Sequence, residues 1–170
     1  MRLTLLSFLA SLLFACSSSA TGNNTGSSGT NGGGGGGGTA LDANSFCDKD
    51  VTQCKDTSVT LDQCKKTFAA FRVSQACLDA LPNADCNQFT GTDRTLFNTC
   101  FPSCDTAGTS CNGDGTATVC APLTSGGGNA RVVVDCAGLC QANNRTYTGT
   151  CGKTFGSQTS TTGKDQCWCQ

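Results

Sequence analysis

The sequence predicts a small disulfide-rich α+β fold: an N-terminal disulfide-linked helical module, then a β-hairpin-rich module with one short helix. Three observations carry this. Fifteen of the 170 residues are cysteine, and setting aside Cys16, in a signal-like segment, leaves an even fourteen between Cys47 and Cys169. Leucine, valine and phenylalanine are too sparse over that span for a self-sufficient core. Apolar residues recur at helical spacing up to about residue 106, and the texture turns to strand-like after Gly108.

The chain opens with Arg2 and an apolar run from Leu3 to Phe14. That run is shorter than the ~20 residues a membrane-spanning helix needs, and has the order of a secretory signal. Leu13-Phe14-Ala15-Cys16 reads as a lipid-attachment box. Residues 1–15 are therefore expected to be a lipoprotein signal peptide, with Cys16 acylated after cleavage. Ser18-Ser19-Ala20 offers an ordinary signal peptidase a second cut. Either route exports the chain. Residues 16–42 form a Gly/Ser/Thr-rich disordered tether containing seven glycines at 32–38. A flexible linker of this kind holds the folded part ~25–30 Å from a membrane, and residues 1–40 are expected to stay unpacked apart from the signal helix.

Export places the cysteines in an oxidising compartment, where such density means a disulfide framework. Each bridge contributes ~2–4 kcal/mol by restricting the unfolded chain. Cys47, Cys54, Cys64, Cys77, Cys86, Cys100 and Cys104 belong to a helical module over 43–110. Cys111, Cys120, Cys136, Cys140, Cys151, Cys167 and Cys169 belong to a β/αβ module over 111–170. Two odd sets cannot both pair internally, so at least one bridge crosses. Cys111, nearest the boundary, is the expected crosser, and the helical half is expected to carry at least three bridges of its own.

In the helical module a weak helix spans about 44–55, placing Cys47 and Cys54 on one face. Thr60-Leu61-Asp62-Gln63 has the capping-box pattern, with Thr60 as N-cap. Leu61, Cys64, Phe68 and Phe71 then recur as a helical stripe. Ser74 starts a second short helix with Cys77, Leu78 and Leu81, stopped at Pro82-Asn83. Leu96, Phe97 and Phe101 complete this core. Beyond Gly108, residues 116–121 and 131–134 read as strands, and 147–153 with 165–169 as a second hairpin around a polar stretch.

One constellation carries geometry. Cys136 and Cys140, four apart on a helix, lie ~6 Å from each other. Cys167 and Cys169, two apart on a strand, lie ~6.6 Å from each other. Two bridges can thus close side by side, with Asp135 capping the helix and Gly149 letting a strand approach closely. With Cys120 and Gly149-Thr150-Cys151, this spacing resembles the cysteine-stabilised αβ motif of defensins and scorpion-type toxins. The resemblance implies the pairs Cys136–Cys167, Cys140–Cys169 and Cys120–Cys151. The segment from Cys151 to Cys167 is long for that family, and Gly138 weakens the helix by ~1 kcal/mol. An unrelated hairpin scaffold with other pairings is the alternative.

As a whole, the box at Cys16, the tether, the scattered cysteines of 47–104 and the stretch Cys111-Asn-Gly-Asp-Gly onward resemble cysteine-rich surface lipoproteins of myxobacteria. That resemblance implies an outer-membrane, cell-surface location and almost no biochemistry.

The composition disfavours catalysis. The chain has no histidine and no glutamate, so Ser-His and Cys-His pairs and His-ligated zinc are missing. Acid–base work would fall to scattered aspartates, and the nearest sequence pair, Asp48 with Asp50, reads as a solvated face. No Cys-x-x-Cys spells a redox or zinc site, and neither metal nor cofactor is expected. A net charge of −1 lacks the basic face that nucleic acid requires. Trp168, pointing away from Cys167 and Cys169, together with Tyr147, Arg145 and Lys153, is the candidate ligand surface, suited to stacking an extracellular glycan or a polyanion. The competing expectation is that Trp168 packs against the helical half. The function expected is a non-enzymatic, lipid-anchored surface protein binding a ligand or protein partner. A defensin-like antimicrobial or toxin-type effector and a structural envelope component are the alternatives.

Overall fold

The computed structural model describes residues 38–90, 92–123 and 128–170. Cys16, the segment read as a signal peptide and most of the segment read as a tether lie outside the described residues. Among those described, no helix is long and apolar enough to cross a membrane.

The fold is α+β and disulfide-rich. The chain enters through strand β1 (Thr39–Ala40) and helix α1 (Ala43–Cys47), which widens into a π-helical turn over Asp48–Gln53. Asp42 caps α1 by accepting the Asn44 and Ser45 N–H groups. Helix α2 (Leu61–Phe68) begins at Thr60 with the reciprocal capping box the sequence spells. Strand β2 is Phe71–Val73. Ser74 caps helix α3 (Gln75–Ala80), and a 3-10 turn over Leu81–Asn83 ends it at the proline. Helices α4 (Cys86–Thr90) and α5 (Thr95–Cys100) complete the first half. Phe71 is a correction: the helix stops at Phe68, and Phe71 reaches the same core from a strand.

Strands β3 (Ser103–Cys104), β4 (Gly108–Cys111), β5 (Thr116–Pro122) and β6 (Asn129–Asp135) follow. Helix α6 (Cys136–Ala142) is the one helix described in the second half. Strand β7 (Tyr147–Gly152) pairs with β10 (Gln166–Cys169), and between them β8 (Thr154–Phe155) pairs with β9 (Gln158–Thr159).

The main sheet runs β1-β2-β6-β5-β4, with β3 also on β6, and every pairing is antiparallel. It draws strands from both halves, so helical and β segments share one core. Along β6, Ala130, Val132 and Val134 are buried while Arg131 is exposed, the period of a strand with one covered face. Against it lies a chain of phenylalanines: ring centroids are 4.4 Å apart for Phe46–Phe68, 5.0 Å for Phe68–Phe71 and 6.0 Å for Phe71–Phe101. Leu96, Phe97 and Phe101 are buried there, as their spacing suggested.

Packing begins at residues that the sequence assigns to the tether. Thr39 and Ala40 pair with Val73 and Arg72, and the Leu41 N–H donates to the Phe71 carbonyl. Leu41 is buried in the core. An apolar side chain beside an open sheet edge is drawn in, whatever the composition before it.

All fourteen cysteines from Cys47 on are bridged. Cys47–Cys64, Cys54–Cys86 and Cys77–Cys100 lie in the helical half. Cys136–Cys167 and Cys140–Cys169 tie α6 to β10, the two helix-to-strand pairs of the αβ motif. Two expectations fail together. The crossing bridge is Cys104–Cys120, and Cys111 pairs with Cys151. The reason lies in the pairing: β3 and β5 both bind β6, which brings Cys104 and Cys120 together, while Cys111 at the end of β4 is left beside β7.

Candidate functional site

Trp168 is not the exposed ring the sequence suggests. Cys167 lies opposite Cys151 across β7 and β10, but Cys169 lies opposite Tyr147, so the register shifts between them. Gly149 sits in that irregularity at φ +83° with open space around its Cβ position, so it serves a backbone conformation rather than the close approach expected of it. The β8–β9 hairpin meets β10 through Phe155. The Trp168 ring lies 6.0 Å from the Phe155 ring, and its indole N–H donates to the Gly152 carbonyl oxygen at 3.0 Å. Only 8% of Trp168 is exposed. It packs on its own hairpin rather than on the helical half, and its ring is closed to a ligand.

The other three residues differ in exposure. Tyr147 is half-buried against the core. Burial, with the nearby Asp135 charge, pushes its phenol pKa up. Arg145 is half-buried, its backbone N–H held by the Cys140 carbonyl, and Lys153 is exposed beyond the end of β7. Near this hairpin the sulfurs of Cys136, Cys151 and Cys167 lie within 4.8 Å of one another. Each is consumed in a bridge. They offer a metal no thiolate.

The unusual chemistry sits in the other half. Asp48 behaves as a surface carboxylate, paired with Lys65 at 3.2 Å. Asp50, grouped with it by sequence as part of a solvated face, is fully buried. The wide turn is the cause: the Cys54 N–H reaches back to the Lys49 carbonyl at 2.9 Å, the i to i+5 pattern of a π turn, a form frequent at functional sites. Lys55 then takes a left-handed conformation at φ 60°. The chain folds back so that the Asp56 N–H donates to the Asp50 carbonyl at 3.1 Å.

Both carboxylate oxygens of Asp50, and Oδ2 of Asp56, are buried without a hydrogen-bond partner. The other Asp56 oxygen accepts the Ser58 N–H at 2.8 Å. Burial, reinforced by the Asp56 charge, pushes the Asp50 carboxyl up to about 7. Three buried carboxylate oxygens without a donor are costly enough to demand a proton or a cation. No substrate reaches it, since Asp50 is 0% and Asp56 7% exposed. Neither residue stands out in the sequence. The one available signal is the enclosure of Asp50 between the bridge heads Cys47 and Cys54.

Comparison with family models, with curated proteins and with solved structures returns no match.

Proposed function

We propose that the chain is an exported, lipid-tethered surface protein whose disulfide-built head acts by binding rather than by catalysis. The observation that carries this reading is the complete pairing of the fourteen described cysteines. A framework of this density persists in an oxidising compartment, and it leaves none of the fourteen to pair with Cys16. A cysteine in the Leu-Phe-Ala-Cys context, set apart from the framework, suits acylation and an outer-membrane location. Against catalysis stand the missing histidine and the closure of the most perturbed carboxylate to solvent. The partner class is an extracellular protein or glycan.

The two bridges from α6 to β10 favour a second reading, a toxin-type effector. It lacks the third pair of that motif and the basic face of membrane-attacking peptides.

Intact mass of the native mature protein, with and without thiol alkylation, tests the first reading. The expected species starts at Cys16, carries acyl mass and takes up no alkylating group. A species starting at Thr21, or one with several free thiols, overturns it. Killing of target cells by the purified mature protein would instead support the effector.

A further inference from the structure

Asp50 and Asp56 present three buried carboxylate oxygens with no hydrogen-bond donor. The turn that holds Asp50 is pinned at both ends, by Cys47–Cys64 and Cys54–Cys86, and Asp56, two residues beyond Cys54, closes on it through its N–H to the Asp50 carbonyl. Two nearby cations are engaged elsewhere. The Lys49 ammonium donates to the Leu81 and Pro82 carbonyls at 3.2 and 3.0 Å. Lys65 pairs with Asp48, and the other ion pair among the described residues joins Arg72 to Asp135.

We propose that Asp50 and Asp56 bind one calcium ion. Two carboxylates neutralise a divalent charge, whereas a monovalent ion leaves one negative charge buried. Oxygen donors without nitrogen or free sulfur select a hard cation. Calcium accepts irregular sets of six to eight oxygens, including bidentate carboxylate, main-chain carbonyls and water, whereas magnesium keeps a near-ideal octahedron and several waters. Burial of these oxygens from solvent favours calcium. The ion locks the π turn to the returning loop and so ties Cys47 and Cys54 to the register of α2 and α4. This site does not depend on the proposed export or on any binding partner.

The test uses the full mature chain with its bridges intact, stripped with a chelator and titrated with calcium chloride alone. Calorimetry should give one site per chain, and the thermal midpoint should rise with calcium concentration, as binding to the folded state requires. Asp50→Asn and Asp56→Asn should each lose both responses, while Asp62→Asn, exposed on α2, should keep them. Absence of heat and of any shift in the wild-type protein overturns the proposal. So does a calcium response that survives in Asp50→Asn, or an equal response to magnesium. Should the asparagine variants fold poorly, luminescence of terbium bound to the wild-type chain, displaced by calcium, decides the matter without them.

Discussion

Arg72 on β2 and Asp135 at the head of α6 form an ion pair that joins the two halves of the chain through side chains 63 positions apart. The same carboxylate caps α6 by accepting the Gly138 N–H at 3.0 Å. Asp135 thus does two jobs and Arg72 one. Asp135→Ala should cost about 1–2 kcal/mol, a lost cap plus a lost pair. Arg72→Ala, one third exposed, should cost about 0.5–1 kcal/mol. Denaturant unfolding of the two variants checks the order.

The pair also has a pH signature. Burial opposes ionisation of Asp135, but the Gly138 N–H and the Arg72 guanidinium outweigh it and hold the carboxyl below its ordinary value of 3.8. A folded-state value below the unfolded one adds stability that is complete above pH 3.8 and fades as pH falls through the depressed value. Wild-type stability should therefore decline below that point more steeply than that of Asp135→Asn. Parallel curves would assign the acid loss to Asp42, Asp93 and Asp114, whose carboxyls are also held low, chiefly by the Ser45, Thr95 and Thr116 side chains.

Gly138 sits inside α6, where alanine would favour the helix by ~1 kcal/mol. A Cβ there would lie 3.1 Å from the Cα of Ala70 and 3.3 Å from its Cβ. Ala70 is fully buried, and its carbonyl holds the Asp135 N–H, so the neighbour cannot withdraw. Overpacking of this kind costs about 1–3 kcal/mol and should win. Gly138→Ala is expected to lower the thermal midpoint, and a rise would show that α6 can slide on the first half.

Cys151 and Cys167 face each other across β7 and β10, yet are bridged to Cys111 and Cys136. Cys111→Ala would leave a free thiol at Cys151 within 4.8 Å of an intact bridge. As thiolate it attacks the Cys167 sulfur, forming Cys151–Cys167 and releasing Cys136 as the new thiolate, with no net change of oxidation state. Non-reducing peptide maps should show more than one isomer in Cys111→Ala and a single one in Cys111→Ala/Cys151→Ala. The double variant should lose about 4 kcal/mol in the chain-entropy view, its bridge closing a separation of 40.

What the sequence makes legible is what short-range chemistry decides. Thr60 with Gln63, Ser74 and Asp135 cap helices through groups three residues away, so their roles can be read directly. The spacing of Cys136 and Cys140 against Cys167 and Cys169 anticipates two parallel bridges because helix and strand periods match at that distance. The rest depends on the partner chosen across the sheet. Cys104 finds Cys120 only because β3 joins β6, and a two-residue strand leaves no periodic mark. Asp50 reads as a surface charge by residue type, and only the wide turn buries it.

Trp168 illustrates the same limit and yields the last prediction. Alternation along Cys167-Trp168-Cys169 places its ring opposite the sulfurs, but the polar segment after Lys153 hides a hairpin whose Phe155 ring lies beside it. With both the ring and its N–H engaged, the native protein should emit blue-shifted fluorescence that moves red when the bridges are reduced. Soluble oligosaccharides and polyanions should leave that emission unchanged. Trp168→Ala should cost about 3–5 kcal/mol. Trp168→Phe, which keeps most of the ring and loses the bond to Gly152, should cost about 1–2 kcal/mol. Quenching of the native emission by a glycan would mean that the β8–β9 hairpin opens, and the stacking surface would then exist in the open form.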